Sequence, residues 1–162
     1  MSIVFSTAEL INIAIGIEKK GIAFYDIMAR TTDDATTRDI FQQLAHMERT
    51  HIQIFQDMLG KSGKNQPAEA AGEEYGGYLQ ALIDSAIFSD EMVSSEMVTQ
   101  ADSAVKALEL SISAEKDSLL LYYEIKDMLP QQMIPLLDKI IAEERTHLMK
   151  LSAVKEELTE NL

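Results

Sequence analysis

The tetrapeptide Glu-Arg-Thr-His occurs twice, as Glu48-Arg49-Thr50-His51 and as Glu144-Arg145-Thr146-His147. On a helix, residues three apart share a face one turn apart, so a carboxylate oxygen and an imidazole nitrogen can reach the same cation. A single Glu-x-x-His is a weak signal, because Glu is common and a surface pair satisfies the pattern. Here two of the three His residues have one, inside a repeated segment. Glu18 and Glu115 complete a candidate set of four carboxylates and two imidazoles. Packed into an apolar interior, four ionised carboxylates repel one another and lose their hydration. Two divalent cations cancel that charge, four positive against four negative. Carboxylate and imidazole ligands suit iron or manganese; two iron ions are the expected cofactor, with manganese as the alternative.

The phase of the surrounding residues places these six in a core. Ile11, Ile15, Glu18, Ile22 and Tyr25 recur at intervals of four and three, the pattern of a buried helical seam. The same spacing joins Phe41, Leu44, Glu48, His51, Phe55 and Met58, then Val105, Leu108, Ile112, Glu115, Leu119 and Tyr122. It also joins Leu137, Ile140, Glu144, His147, Leu151, Val154 and Leu158. Each seam is apolar except at the candidate ligands. Tyr25 and Tyr122 fall seven residues after Glu18 and Glu115, on the same faces. They are either core aromatics whose hydroxyls are tied to some polar partner, or groups that bond the ligand carboxylates or carry a proton or electron beside them. His46 lies off its seam and reads as a surface residue. Arg49 and Arg145 read as a solvated or salt-bridging face, and the Met residues as core filler.

Four helices are needed to carry these seams. Ser6-x-x-Glu9 is a capping box opening a helix that runs to about Arg30. Thr31 to Asp34 forms a tight turn with a cap for a second helix, from about Asp34 to Leu59, stopped by Gly60 and Gly63. A third is set by about Ser103 and runs to Met128. Pro130 marks a turn, and a fourth helix with Pro135 near its first turn continues to about Leu158. Residues 61–77 read as loop, and Tyr78 to Phe88 as a short amphipathic helix within a crossover of about 61–102. The fold expected over 1–162 is one all-α domain, a four-helix bundle of two antiparallel hairpins joined by that crossover, up-down-down-up. The halves repeat: Ile15-Gly16-Ile17-Glu18-Lys19 aligns with Ile112-Ser113-Ala114-Glu115-Lys116, and the Glu18-to-Glu48 and Glu115-to-Glu144 intervals are 30 and 29 residues. At about 1.5 Å per residue, all four carboxylates lie at one level near mid-bundle.

Composition narrows the chemistry. The absence of Cys removes disulfides, zinc-thiolate sites and iron–sulfur clusters, and fits a reducing cytoplasm. A net charge of −13 argues against a nucleic-acid partner. It fits a solvated surface, or one that concentrates cations. No stretch approaches the roughly 20 apolar residues that span a membrane, and the N-terminus lacks the basic start of a secretory signal.

The chain resembles the ferritin-like superfamily, and over nearly its full length a rubrerythrin-type protein. The resemblance rests on Glu18 followed by Phe24-Tyr25, on Glu115-Lys116-Asp117-Ser118 followed by Tyr122-Tyr123, and on the two Glu-Arg-Thr-His segments. It implies a di-iron centre in which Glu48 and Glu144 bridge the metals. Glu18 with His51, and Glu115 with His147, would complete the two ligand sets. It implies an oxidoreductase of peroxidase or ferroxidase type, acting on O2, peroxide or ferrous iron with an external electron-donor protein. The alternative is a non-enzymatic iron-binding protein for storage, buffering or sensing. Relatives often associate, so a homodimer is expected. Two departures stand out: there is no Cys for an iron–tetrathiolate domain, and Ser118 occupies the position of an additional Glu, with Gly21 its counterpart in the first half. The expected site is therefore closer to the symmetric six-ligand centre of bacterioferritin-like proteins. With no room after the fourth helix for a further one, a large storage shell of that kind is not expected.

Overall fold

The computed structural model describes residues 5–61, 73–86 and 103–162. Helix α1 spans Thr7–Thr31, α2 Ala35–Lys61, α3 Glu73–Ser85, α4 Ala104–Lys126 and α5 Ile134–Glu160. A 3-10 turn, Gln131–Met133, precedes α5. The starts are chemically set. Ser6 N–H donates to Glu9 Oε2 at 2.7 Å while Glu9 N–H donates to Ser6 Oγ at 3.2 Å, a reciprocal cap that satisfies two otherwise orphaned donors. Asp34 accepts from the backbone N–H of Thr37 at 2.7 Å and from its hydroxyl at 2.6 Å. Ser103 accepts from Lys106 N–H at 3.2 Å. Pro135 sits in the first turn of α5, where a missing N–H breaks no helical bond.

The two hairpins, α1–α2 and α4–α5, are the most extensively packed pairs, and α1–α4 and α2–α5 contacts join them. Reciprocal side-chain pairs fix the directions. Tyr25 meets Glu115 and Tyr122 meets Glu18, so α1 and α4 run antiparallel. His51 meets Glu144 and His147 meets Glu48, so α2 and α5 do too. Every neighbouring pair in the bundle is thus antiparallel, which makes α2 and α4 run the same way. The course of the connection between them falls largely on 62–72 and 87–102, outside the described residues.

Two sequence expectations shift. The short helix begins at Glu73 rather than Tyr78 and ends by Ser85. Gly76 and Gly77 therefore lie inside a helix, a position each disfavours by about 1 kcal/mol. Tertiary anchoring overrides that propensity: Tyr75 donates its hydroxyl to Glu124 Oε2 at 2.5 Å, and Leu79 is fully buried. The expected reach of this helix past Ala86 to Phe88 lies outside the described residues. The buried faces of α1 and α4 are also broader than the expected seams, which hold only in part. Ile22, Ile112 and Leu119 are only half-buried, and Gly21, Ser111, Ala114 and Ser118 are buried beside the Glu residues. A bundle helix buries a stripe wider than a strict 4-3 seam, and the extra width is taken here by small residues.

Candidate metal centre

The interior is two apolar clusters separated by a polar layer. One contains Leu10, Ile11, Phe55, Met58, Ile125 and Leu137. The other contains Phe24, Met28, Phe41, Leu44, Leu108 and Leu151. Between them stand all six residues singled out by phase, Glu18, Glu48, His51, Glu115, Glu144 and His147, none more than 3 % exposed. The i, i+3 spacing in α2 and α5 turns each Glu and His of a pair toward the same point, and the pseudo-twofold repeat sets the two pairs face to face. The imidazole rings stack at 5.5 Å between centroids with an 18° interplanar angle.

The arrangement of oxygens around the two rings is the informative feature. Glu48 places Oε2 3.0 Å from His51 Nδ1 and Oε1 3.1 Å from His147 Nδ1. Glu144 does the same with Oε1 at 3.0 Å from His51 Nδ1 and Oε2 at 3.0 Å from His147 Nδ1. Glu18 Oε2 lies 3.5 Å from His51 Nδ1, and Glu115 Oε1 lies 3.8 Å from His147 Nδ1. Donor atoms therefore converge in two overlapping groups, Glu18, Glu48, His51 and Glu144, and Glu48, Glu115, Glu144 and His147. Glu48 and Glu144 belong to both.

Protein groups alone satisfy this layer poorly. His51 Nδ1 and Glu48 Oε2 are buried and 3.0 Å apart, yet neither has an aligned hydrogen-bond partner. His147 Nδ1 is hydrogen-bonded to Glu144 Oε2 at 3.0 Å, but buried donor atoms as close as His51 Nδ1 and Glu48 Oε2 without such alignment are what a cation-binding set presents. The all-nitrogen-and-oxygen donor set fits iron or manganese. The charge balance carries the same signal. Burial, and then the charge of Glu18, push the Glu48 carboxyl up to about 8. Burial, with Glu115 and Glu48 beside it, holds Glu144 well above the carboxylate range. Burial opposes the His51 imidazolium, but Glu144, Glu18 and Glu48 outweigh it and raise the ring far above its ordinary value. His147 is likewise raised to about 12, the carboxylates of Glu115, Glu144 and Glu48 overcoming burial. For Glu18, burial is outweighed by hydrogen bonding from Glu48 and His51, so its carboxyl is lowered.

The hydroxyls of both tyrosines lie against carboxylates of the polar layer. The Tyr25 hydroxyl donates to Glu115 Oε1 and the Tyr122 hydroxyl to Glu18 Oε1. Each Tyr thus serves the Glu of the other hairpin, a crossing that follows from the antiparallel α1–α4 pair. Burial and then the adjacent carboxylate, Glu115 for Tyr25 and Glu18 for Tyr122, keep both phenols protonated. His46 is exposed. Arg49 pairs with Asp26 at 2.7 Å, and Arg145 donates to the Tyr123 hydroxyl. One residue escaped the sequence reading: Glu143, whose Oε2 lies 2.8 Å from His51 Nε2.

The histidines approach from α2 and α5. On the α1–α4 side, an open cleft borders Glu18, Glu48, Glu115 and Tyr25, with Gly21 and Ser118 among its walls. A second, mainly apolar cleft adjoins it through Ile17, Ala114 and Ser118 and reaches Leu82 and Ile83 of α3.

Comparison with known proteins gives this geometry its family. The rubrerythrin family model matches residues 9–155, which includes all six converging residues. The chain belongs to the rubrerythrin family. This places it in the ferritin-like superfamily, in keeping with its helical bundle. Among solved structures it is similar to a DUF305 fragment from Deinococcus radiodurans, at 14% identity and a TM-score of 0.62, over 93% of this chain and 95% of that one. At that identity the likeness concerns the fold alone. No curated protein matches the sequence. The rubrerythrin match and the buried Glu/His layer together identify a metal-binding site. Among the described residues, no helix is long and apolar enough to cross a membrane.

Proposed function

We propose that Glu18, Glu48, His51, Glu115, Glu144 and His147 hold two iron ions, and that the protein is an oxidoreductase that reduces O2 or peroxide, or oxidises ferrous iron, with an external electron donor. The observation that carries the proposal is the division of Glu48 and Glu144 between the two imidazoles, with one oxygen toward each. Such carboxylates would be shared by two ions, with Glu18 and His51 completing one set and Glu115 and His147 the other. When bound, a pair of redox-active ions supplies two electrons together.

The chain's own groups do the rest. The Tyr25 and Tyr122 hydroxyls orient Glu115 and Glu18 across the bundle and, being protonated, also offer protons at the edge of the site. The apolar clusters on either side exclude bulk water and strengthen every charge interaction in the layer. Gly21 and Ser118 leave space on the side away from the histidines, where a small oxidant could approach.

Anaerobic loading with ferrous iron followed by rapid mixing with O2 or peroxide tests the reading. Oxidation much faster than that of free ferrous ion, complete at two irons per chain, supports it. Oxidation at the free-ion rate contradicts it. Uptake of many more than two irons per chain would point to the storage alternative.

A further inference from the structure

The two halves of the site differ in how their imidazoles are held: His147 Nδ1 is hydrogen-bonded to Glu144 Oε2 at 3.0 Å, while His51 Nδ1 has no aligned partner. His51 Nε2–H donates to Glu143 Oε2 at 2.8 Å, whereas His147 Nε2 is buried and has no hydrogen-bond partner among the described residues. The repeat explains the difference at Nε2. Aligning Glu48 with Glu144 sets Met47 opposite Glu143, so the second histidine lacks a carboxylate at the equivalent position. Glu143 is only partly buried, and its other oxygen, Oε1, lies 4.0 Å from Lys139 Nζ.

We propose that Glu143 is a positioning residue that makes the centre asymmetric, so that the His51 half takes up a divalent cation first and holds it more tightly. The inference rests on the two-metal reading above. A neutral imidazole has one N–H and one lone pair. A carboxylate can only accept, so Glu143 keeps a proton on Nε2 whether the ring carries one proton or two, and the proton that leaves as a cation binds is the one on Nδ1, facing Glu18, Glu48 and Glu144. The ring is thereby fixed in orientation before a cation arrives and in tautomer once Nδ1 is deprotonated, and the carboxylate makes it a stronger base. His147 must present Nδ1 to Glu48, Glu115 and Glu144 with no acceptor for the proton left on Nε2, so no such bond organises its half. Removing an outer carboxylate of this kind weakens metal affinity by about 10- to 100-fold.

Cobalt(II) added anaerobically to the full chain reads both affinity and place. With one equivalent, proton NMR of the unaltered protein should show one set of hyperfine-shifted imidazole signals, including the Nε2–H held by Glu143. Calorimetry should show a tight first step and a weaker second. Glu143→Met, which copies the first half, should weaken the first step by about 10- to 100-fold and distribute the first ion over two sets of signals. Glu143→Gln keeps a carbonyl oxygen as acceptor and should retain the single set. Met47→Glu should tighten the second step while leaving the first unchanged. Two equally populated signal sets in the unaltered protein would overturn the asymmetry, as would a folded Glu143→Met protein with unaltered steps and signals. Failure to bind cobalt(II) at all would overturn the two-metal reading itself, so the two failures are distinguishable.

Discussion

Loading the centre with divalent metal should expel protons, and their number follows from the buried layer. Fully deprotonated, four carboxylates and two neutral imidazoles carry a charge of −4. Four groups are shifted to hold a proton at neutral pH: Glu48, raised to about 8, Glu144, well above the carboxylate range, and the raised His51 and His147. Four protons bring the layer to neutrality, and two divalent cations do the same. Binding two ions at pH 7 should therefore release about four protons per chain, and the overall two-ion constant should rise by about four orders of magnitude per pH unit near neutrality. Calorimetric titrations with cobalt(II) or ferrous iron, run anaerobically in buffers of different ionisation enthalpy, yield the proton count directly. Release of fewer than about two protons would refute the reasoning, because ligands cannot remain protonated where cations replace them.

The same shifts predict how the metal-free protein responds to pH. Its folded state holds protons that the unfolded chain has lost, on Glu48 from about 4.5 to about 8 and on His147 from about 6.5 to about 12. Stability should then fall as pH rises from about 5 through 8, as followed by thermal melts, and a melting temperature that rises across that interval would contradict it. Glu48→Gln removes one of the mutually repelling carboxylates. Its metal-free form should be at least as stable as the parent at pH 8, while most of the metal-induced stabilisation, about 4 kcal/mol at a thousandfold excess over Kd, should disappear. Tyr25→Phe leaves Glu115 without its hydroxyl donor; metal affinity should fall by about tenfold or more with the circular dichroism spectrum unchanged. Asp34→Ala removes the cap of α2, at a cost of about 1 kcal/mol visible in denaturant melts and with no change in metal stoichiometry.

Much of the centre was legible because a buried seam tolerates so few exceptions. Four Glu and two His at seam positions could be read as one set before any contact was known, and the equal hairpin intervals placed them at one level. That Glu48 and Glu144 belong to both donor groups was implied by the family resemblance and not by the repeat, which relates Glu18 to Glu115 and His51 to His147 equally. The tyrosines were legible by face but not by partner, because Tyr25 reaching Glu115 depends on the direction of α4 relative to α1. Glu143 was not legible. It stands beside Glu144, one position off the seam and partly exposed, and in a chain of net charge −13 nothing in its identity separates it from a solvated Glu. Only the asymmetric pairing of the two imidazoles reveals it. The early start of α3 was hidden by Gly76 and Gly77, whose local preference yields to the anchoring of Tyr75 and Leu79.

The most direct test of the central claim is the metal content of protein purified without added metal, measured by elemental analysis beside Glu48→Ala and Glu144→Ala. About two iron or manganese atoms per chain are expected, lost in both variants because each removes a carboxylate common to the two donor groups. A parent protein that holds no metal even after anaerobic iron loading would contradict that claim, and the buried carboxylates would then be structural groups neutralised by protons.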